Sequence, residues 1–398
     1  MTEIESFFSR LSPSVRSQTG SAKDRDGVLD ALEATLMERQ EYHRLFDAKL
    51  MRVRNRMKLP LAQPTSLNHV PKEKEDEFRE AYFSAAREVG SLFLKDQRLA
   101  DAWAYFRTVG EPEPVRKALE ALTIPEEPGH ERDEILNLAL YEGAHVILGL
   151  RMLLKSNGTC NTITAIGQLM AQMSQEERNE AARLMVGHLH FDLAFSLRRH
   201  IEARMASEGG NEKLPENASL GSMIEGRSWL FEDGNYHIDI SHLHSTTGFA
   251  RHLKAGDPEL PLAIELCEYG RQLDKPLRYP GEAPFEDFYT AHWHFLRAIA
   301  GIDVDASLGY FHERLQEDQD AQNQKMTAFV LVDIGQRIGR ASQTLEMAGN
   351  HLNRLEDPSG FSWSTACLNA GRSDLLRKGA EDNDDAVTLS IALLSQST

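Results

Sequence analysis

Cysteine is scarce in this chain and is never closely paired. The 398 residues include three cysteines, Cys160, Cys267 and Cys367. Cysteine-based zinc sites need close pairs, and small secreted domains need a denser set for their disulfides. Neither pattern is present, so we expect reduced thiols that fill the core.

The chain also lacks the short motifs of common nucleotide and hydrolase chemistries. It has no GxxxxGK[ST] phosphate loop, no GxGxxG after a strand and no GxSxG nucleophile turn. These absences disfavour nucleotide binding and α/β-hydrolase activity. HExxH elements, CxxC pairs and EF-hand loops are missing too.

Long apolar runs are absent as well. The N-terminus has no basic start followed by an apolar stretch, and no segment reaches the roughly 18 uninterrupted apolar residues that a membrane span requires. We therefore expect a cytoplasmic protein with no membrane partner.

Positive charge is in short supply relative to negative charge. The chain has 61 acidic and 44 basic residues and a formal net charge of −17, which repels nucleic acid and favours a basic protein or peptide partner. One basic concentration stands out: Lys49, Arg52, Arg54, Arg56 and Lys58. Because acidic residues precede it on the same predicted helix, we interpret it as a solvated helical face and not as a nucleic-acid patch.

What the chain does have is apolar residues at helical spacing. Residues 24–58 carry this pattern, which predicts one long helix or a helix pair ended by Pro60 and Pro64. A further helix is expected to begin near Lys74. With 41% hydrophobic residues, the chain can bury a sizeable core.

A repeat-like pattern follows in residues 86–114. Gly90, Phe93, Ala102, Phe106 and Pro114 stand at the offsets of the tetratricopeptide signature. Gly90 would let two helices approach closely, Phe93 and Phe106 would fill the space between them, and Pro114 would end the second helix. This segment resembles the tetratricopeptide-like helical-repeat superfamily, although Ala86 and Val89 stand where that family often has Trp and Leu.

The C-terminal third supports the resemblance. Residues 300–311 and 328–352 each have the pattern of a helix, a tight turn and a second helix. Gly339-Arg340-Ala341 and Gly371-Arg372-Ser373 recur 32 residues apart, near the family period of about 34 residues. The resemblance implies an all-α fold of helical hairpins stacked as a tetratricopeptide-like α-solenoid, which binds a peptide or protein partner in its concave groove.

The pattern divides the chain into four predicted segments. They are an N-terminal helical segment (1–70), a tetratricopeptide-like hairpin (71–123), a histidine-rich region of long helices (124–283) and C-terminal tetratricopeptide-like hairpins (284–398). Within the third segment, Asp233-Gly234 lies between apolar and aromatic residues, which predicts a small β-hairpin near 228–238. The stretch 156–162 in the same region is predicted as a connector.

Histidines are concentrated in that third segment, and some of them stand near carboxylates. In a solenoid, equivalent positions of successive hairpins line one face, so such side chains could form a ligand pocket. The candidate pocket residues are His145, His188, Asp192, Arg199 and His292. The alternatives are a solvent-facing polar stripe for the residues of the long helix and an aromatic contact between helices for His292.

A metal site is the second hypothesis for this region. His237, Asp239 and His242 could hold a divalent transition metal such as zinc or iron, and Glu142 and Asp192 would then be the candidate catalytic groups of a metal-dependent hydrolase or lyase. The alternative reading makes Asp239 the N-cap of the next helix. The sequence thus leaves a peptide-binding repeat protein, a metal enzyme and a metal-free small-molecule sensor open.

Overall fold

The chain is all-α. The computed structural model describes residues 2–16, 24–125, 127, 129–209, 214–215, 217–352 and 361–395, and these contain twenty α-helices and no β-strand. The chain divides into two compact units, unit 1 (1–156) and unit 2 (157–398). The four-segment division made from the sequence stays a prediction.

Unit 1 consists of helices joined by short turns. Its helices are α1 (Glu3–Arg10), α2 (Pro13–Arg16), α3 (Asp24–Glu38), α4 (Tyr42–Arg56), α5 (Glu75–Lys95), α6 (Leu99–Val109), α7 (Glu113–Glu120) and α8 (His130–Leu136), with a 3-10 turn at Lys72–Lys74 and a π-helical turn at Asn137–Tyr141. Residues 24–58 are a helix pair, α3 and α4, with Gln40 in the left-handed conformation between them. The next helix, α5, begins one residue after Lys74.

In the hairpin of α5 and α6, Gly90 and Phe106 make the close contact that was predicted for them. A Cβ atom at Gly90 would lie 2.8 Å from Cε2 of Phe106, so only glycine permits this approach of the two helices. Phe93 and Ala102 are completely buried, and Phe106 is nearly so. Pro114 does not end α6, however. That helix ends at Gly110, whose left-handed φ of +73° caps it, and Pro114 lies in the first turn of α7.

Three of the five residues of the basic cluster, Lys49, Arg52 and Arg54, make contacts inside unit 1. Arg54 is 1% exposed and donates hydrogen bonds to the carbonyls of Pro60, Ser66 and Asn68 at 2.5, 2.7 and 3.0 Å. It thereby holds the proline-marked connector against α4. Lys49 pairs with Glu88 at 2.7 Å, and Arg52 pairs with carboxylates of α3.

One helix, α9 (Val146–Leu169), begins in unit 1 and ends in unit 2. The stretch 156–162, predicted as a connector, is helical except at Gly158, where φ is +77° and ψ is −178°. This interruption lies next to the boundary between the units. The small and polar residues there therefore mark a helix kink instead of a loop.

Unit 2 contains the longest helix and a series of shorter ones. Its helices are α10 (Gln175–Ser207), α11 (Leu220–Ile224), α12 (Ile240–Phe249), α13 (Leu260–Gln272), α14 (Phe288–Ile299), α15 (Val304–Glu317), α16 (Ala321–Arg337), α17 (Ala341–Ala348), α18 (Trp363–Asn369), α19 (Ser373–Asp382) and α20 (Ala386–Ser395), with 3-10 turns at Ser228–Gly234, Ala250–His252, Lys275–Leu277 and Gly349–His351. From α13 to α17, each helix packs against the next along the chain. Ring and aliphatic side chains of these helices form one core.

The two recurring Gly-Arg turns have the same backbone geometry. Gly339 and Gly371 adopt φ of +73° and +68°, and the following arginine amide bonds the carbonyl five residues back, Arg340 to Gly335 and Arg372 to Cys367. These are helix C-caps of the Schellman type. In the first of these hairpins Gly335 also lies directly against Thr344, as Gly90 does against Phe106.

The β-hairpin predicted near 228–238 is not confirmed. Ser228–Gly234 forms a 3-10 turn, and no strand flanks it in the described part of unit 2. Asp233 and Gly234 do adopt the left-handed φ values, +57° and +72°, that a tight hairpin turn requires. The turn chemistry was therefore read correctly, but the flanking residues pack on helices α10 and α13 and do not pair with each other.

No helix in the described part of the chain is both long and apolar enough to cross a membrane.

Candidate functional site

Asp239, one of the three predicted metal ligands, is a helix cap. Its Oδ1 accepts hydrogen bonds from the amides of Ser241 and His242 at 2.8 and 3.3 Å, and from the Ser241 hydroxyl at 2.6 Å. The Ser241 hydroxyl bond is the largest of the effects that lower the pKa of this carboxyl. Asp239 thus stabilises the first turn of α12, which was the structural alternative at this position.

His237 lies in a chain of three polar rings. Its Nε2 is 2.8 Å from Nδ1 of His200, its Nδ1 is 3.2 Å from the Tyr269 hydroxyl, and its backbone amide donates to the same hydroxyl at 2.8 Å. Burial and then the neighbouring His200 lower the pKa of His237 to about 4. His237 is therefore a neutral imidazole near pH 7, and both ring nitrogens are engaged. The sequence grouping left out its principal partner, His200.

The predicted metal site is not assembled. Within the described residues, the structure brings together no group of three or more His, Cys, Asp or Glu side chains that could hold one metal ion. His237 contacts His200 and Tyr269, while Asp239 is occupied by its own helix. Zinc in proteins is held almost always by at least three side chains. The positions of His237, Asp239 and His242 therefore give no geometric support to the metal hypothesis.

The polar residues His188, Asp192 and Arg199 on α10 contact side chains that lie next to them. His188 lies 2.9 Å from the Thr159 hydroxyl and 3.4 Å from Asp192, and Arg199 lies over the exposed ring of Phe195. None of these residues lines a cleft described below. The solvent-facing alternative fits them better than a pocket wall.

His292 is a core residue. It is 1% exposed, its Nδ1 donates to the carbonyl of Phe288 at 2.8 Å, and its ring packs 4.4 and 4.2 Å from those of Phe285 and Phe288. Burial above all lowers its pKa to about 3, so it is neutral. The structure thus contains an aromatic contact at His292, as the alternative predicted, but its ring partners are Phe288 of the same helix, α14, and Phe285 just before that helix, and these contacts do not join two helices.

The two predicted site residues of unit 1 do not act as a pair. His145 lies 3.0 Å from Glu120, while the Glu142 carboxylate accepts from the Asn137 amide at 3.0 Å and its carbonyl accepts from Trp103 at 3.1 Å. Glu142 nevertheless has a distinct position, because it lines a cleft of unit 1.

This acidic cleft, of about 910 Å³, lies where the turn between α5 and α6 faces α8. The π-helical turn after α8 carries Glu142 to its wall. Its apolar lining comes from Leu99, Leu122, Ile135 and Leu138, and its carboxylates come from Asp101, Glu131, Asp133, Glu134 and Glu142. It therefore combines an apolar lining with a rim of negative charge.

The negative charge of the acidic cleft is only partly balanced. Arg98 pairs with Asp101 at 2.9 Å, and His130 lies 3.4 Å from Glu134. Glu131 and Asp133 are exposed and have no ion-pair partner in the part of unit 1 that the structure describes. Carboxylates that share one cleft without counter-charges favour a cationic ligand.

Sequence reasoning overlooked this cleft although one signal was visible. Residues 131–134 read Glu-Arg-Asp-Glu, a local excess of acid at the start of a helix. Acidic residues are common at the start of a helix, so this signal does not by itself indicate a site. Its relation to the α5–α6 turn depends on contacts between residues more than thirty positions apart, which no local pattern reveals.

Comparison with protein-family models, with curated proteins and with solved structures finds no match for this chain.

Proposed function

We propose that this chain is a helical-repeat protein that binds a basic segment of a peptide or partner protein in the acidic cleft of unit 1. The observation that carries the proposal is a cleft with an apolar lining and five carboxylates against one arginine. Its volume falls in the range of specific ligand sites, roughly 300 to 1,000 Å³, which corresponds to a few side chains of a peptide.

The proposed ligand is a peptide segment in which apolar and basic side chains alternate. Leucine-sized side chains would enter the apolar part between Leu99 and Leu138, and lysine or arginine would pair with Glu131 and Asp133 at the rim. Because both carboxylates are exposed, each pair contributes little affinity by itself, about 1 kcal/mol or less, but the rim selects the sign of the ligand.

A repeat architecture, which we also propose, would support the same function. Three observations favour stacked hairpins: the close approach of Gly90 to Phe106, the equivalent approach of Gly335 to Thr344, and the identical turns at Gly339 and Gly371. Repeated helical hairpins commonly present a groove to a peptide. A tetratricopeptide-like solenoid remains our proposal for how the hairpins within each unit are arranged.

The first test is peptide binding. A fluorescent twelve-residue peptide of alternating leucine and lysine is titrated with the full chain at low salt, and fluorescence anisotropy is measured. We expect saturable binding that weakens as salt is raised, and no binding of the matched peptide with glutamate in place of lysine.

A pair of double variants locates the binding. Glu131→Gln with Asp133→Asn removes the two unpartnered rim carboxylates, and Glu77→Gln with Glu80→Gln removes two exposed carboxylates of α5 outside the cleft. The first should weaken binding roughly tenfold, about 1.4 kcal/mol, and the second less than about twofold. Equal weakening in both variants would show attraction to the overall charge and refute the site.

A further inference from the structure

Unit 2 contains a cleft of the opposite charge. It has a volume of about 530 Å³, and we name it the cationic cleft after three of its lining residues, Arg251, Lys254 and Arg337. In a chain with a net charge of −17, a concentration of positive side chains around one cavity requires a specific explanation.

Two arginines of the cationic cleft rest on an aromatic floor. The guanidinium of Arg251 lies 5.0 Å from the centre of the Phe285 ring, and that of Arg337 lies 5.2 Å from the centre of the Phe295 ring. The two rings pack edge to face at 6.2 Å. Stacking on a ring fixes the plane of a guanidinium while leaving its N–H groups free to donate.

Arg337 is held in place by the neighbouring turn. Its guanidinium donates to the carbonyl of Arg251 at 2.8 Å and to that of Leu253, and it lies 3.3 Å from Asp333. Lys254 has its own counter-ion, because its Nζ is 2.6 Å from Glu176. The charges of Arg337 and Lys254 are thus paired with groups of the protein itself.

Arg251 differs from both. Its side chain has no hydrogen bond and no ion pair within the described residues of unit 2, although it is stacked and faces the cavity. The residue is exposed to solvent, so the N–H groups of its guanidinium are accessible from the cleft. An anion in the cleft would supply a counter-charge for Arg251.

Asp333 also lines the cationic cleft, and its carboxylate lies 3.3 Å from the guanidinium of Arg337. Burial and the positive charges of Arg251, Arg178 and Arg337 lower the pKa of His252 to about 4, so this ring is neutral near pH 7 and adds no charge to the cleft. Gln175, the first residue of α10, places the positive end of that helix at the cleft.

We propose that the cationic cleft of unit 2 binds a small organic anion through the unpaired, ring-stacked guanidinium of Arg251. The anionic group is a carboxylate or a phosphate, both of which a guanidinium binds with two parallel N–H bonds. The body of the ligand is small and apolar enough to lie beside Phe285, Phe295 and Val330. This site is separate from the peptide cleft proposed for unit 1.

The test is calorimetric titration of the full chain with phenyl phosphate, benzoate, inorganic phosphate and neutral benzyl alcohol. We expect one anion at least to bind with 1:1 stoichiometry, and benzyl alcohol not to bind. The difference in affinity between the phosphate and the carboxylate probes identifies the preferred head group. Absence of saturable binding by every anion, or equal binding of benzyl alcohol, would overturn the proposal.

Variants assign the binding to Arg251. Arg251→Gln should weaken the tightest anion at least tenfold, and Arg251→Lys, which keeps the charge but not the two-pronged geometry, should weaken it less. Arg377→Gln is the matched control, because Arg377 lies on α19 and pairs with Glu381; it should bind as the parent does. If Arg251→Gln binds the anion unchanged, the assignment is wrong. Protection of residues 250–254 from hydrogen exchange on anion binding gives a second readout.

Discussion

The histidines of unit 1 and unit 2 have different surroundings. In unit 1, His43 lies 2.9 Å from Asp101 and His145 lies 3.0 Å from Glu120, so these rings are beside carboxylates at the surface. In unit 2, His244, His292 and His294 are stacked on rings at 3.9, 4.2 and 4.2 Å. Each of these three has a buried ring nitrogen without a hydrogen-bond partner in the described part of the unit. His188 and His190 of unit 2 also lie beside carboxylates, so what distinguishes unit 2 is a set of ring-packed histidines, of which His292 is fully buried.

The clefts show the same division. In the part of each unit that the structure describes, the unit 1 cleft has carboxylates without ion-pair partners around an apolar lining, and the unit 2 cleft has a guanidinium without an ion-pair partner on an aromatic floor. Since like charges repel and opposite charges attract, the two units should select ligands of opposite sign. The following predictions challenge this comparison between the units, starting with the largest effect.

Acid should destabilise unit 2 strongly. In the folded state the pKa of His292 is about 3, and those of His237, His252 and His294 are about 4, whereas an unfolded histidine titrates near 6.5. Between pH 6.5 and about 4 the unfolded chain therefore binds more protons, so the free energy of unfolding falls as the pH falls. His292 alone should cost on the order of 3 kcal/mol at pH 4.

Urea denaturation at each pH, followed by tryptophan fluorescence, measures this effect. Trp103→Phe leaves three tryptophans, Trp229, Trp293 and Trp363, all in unit 2. Combining this change with His292→Leu should flatten the pH dependence, while His130→Leu, at an exposed position of unit 1, should leave it unchanged. An identical slope with and without His292 would contradict the explanation.

The stability of unit 1 should depend on the buried side chain of Arg54. Arg54→Met leaves the carbonyls of Pro60, Ser66 and Asn68 without their donors, which should cost roughly 2 to 3 kcal/mol. Hydrogen exchange measured on peptides of each unit should show faster exchange in residues 57–71 and no change in α13 to α16. Arg56→Met, at an exposed position on the same helix, is the control, and a similar loss in that variant would disprove the role of Arg54.

Glycine-to-alanine substitutions should have the smallest effect on the free energy of unfolding. The sign of that effect should depend on whether the glycine lies at a helix contact. Gly90→Ala in unit 1 and Gly335→Ala in unit 2 would place a Cβ 2.8 Å from Phe106 Cε2 and 2.7 Å from Thr344 Cβ, and each should destabilise by roughly 1 to 3 kcal/mol. Gly27→Ala and Gly309→Ala have open space and should stabilise by up to roughly 1 kcal/mol. Thermal unfolding of the four variants decides this, and destabilisation by all four would remove the argument for close helix contact.

Local features were predictable because their causes are local. The spacing of apolar residues predicts α3, α4 and α5, and the capping role of Asp239 follows from its place before a helix. Gly339 and Gly371 were recognised as turns for the same reason. The Asp233-Gly234 step shows the limit: its left-handed backbone is local, but a hairpin also needs two strands that pair, and here the flanking residues pack on helices.

The amino-acid sequence by itself determined that the chain is helical, acidic and without the common catalytic motifs, since periodicity, charge and motifs are properties of neighbouring residues. The tertiary structure alone decided that Arg54 is buried and that His237 meets His200. It also decided that the guanidinium of Arg251 lies over the ring of Phe285 while carboxylates gather around Leu99 and Leu138. These arrangements join residues far apart along the chain, and the packing of helices, which no local pattern encodes, determines which of them find a partner.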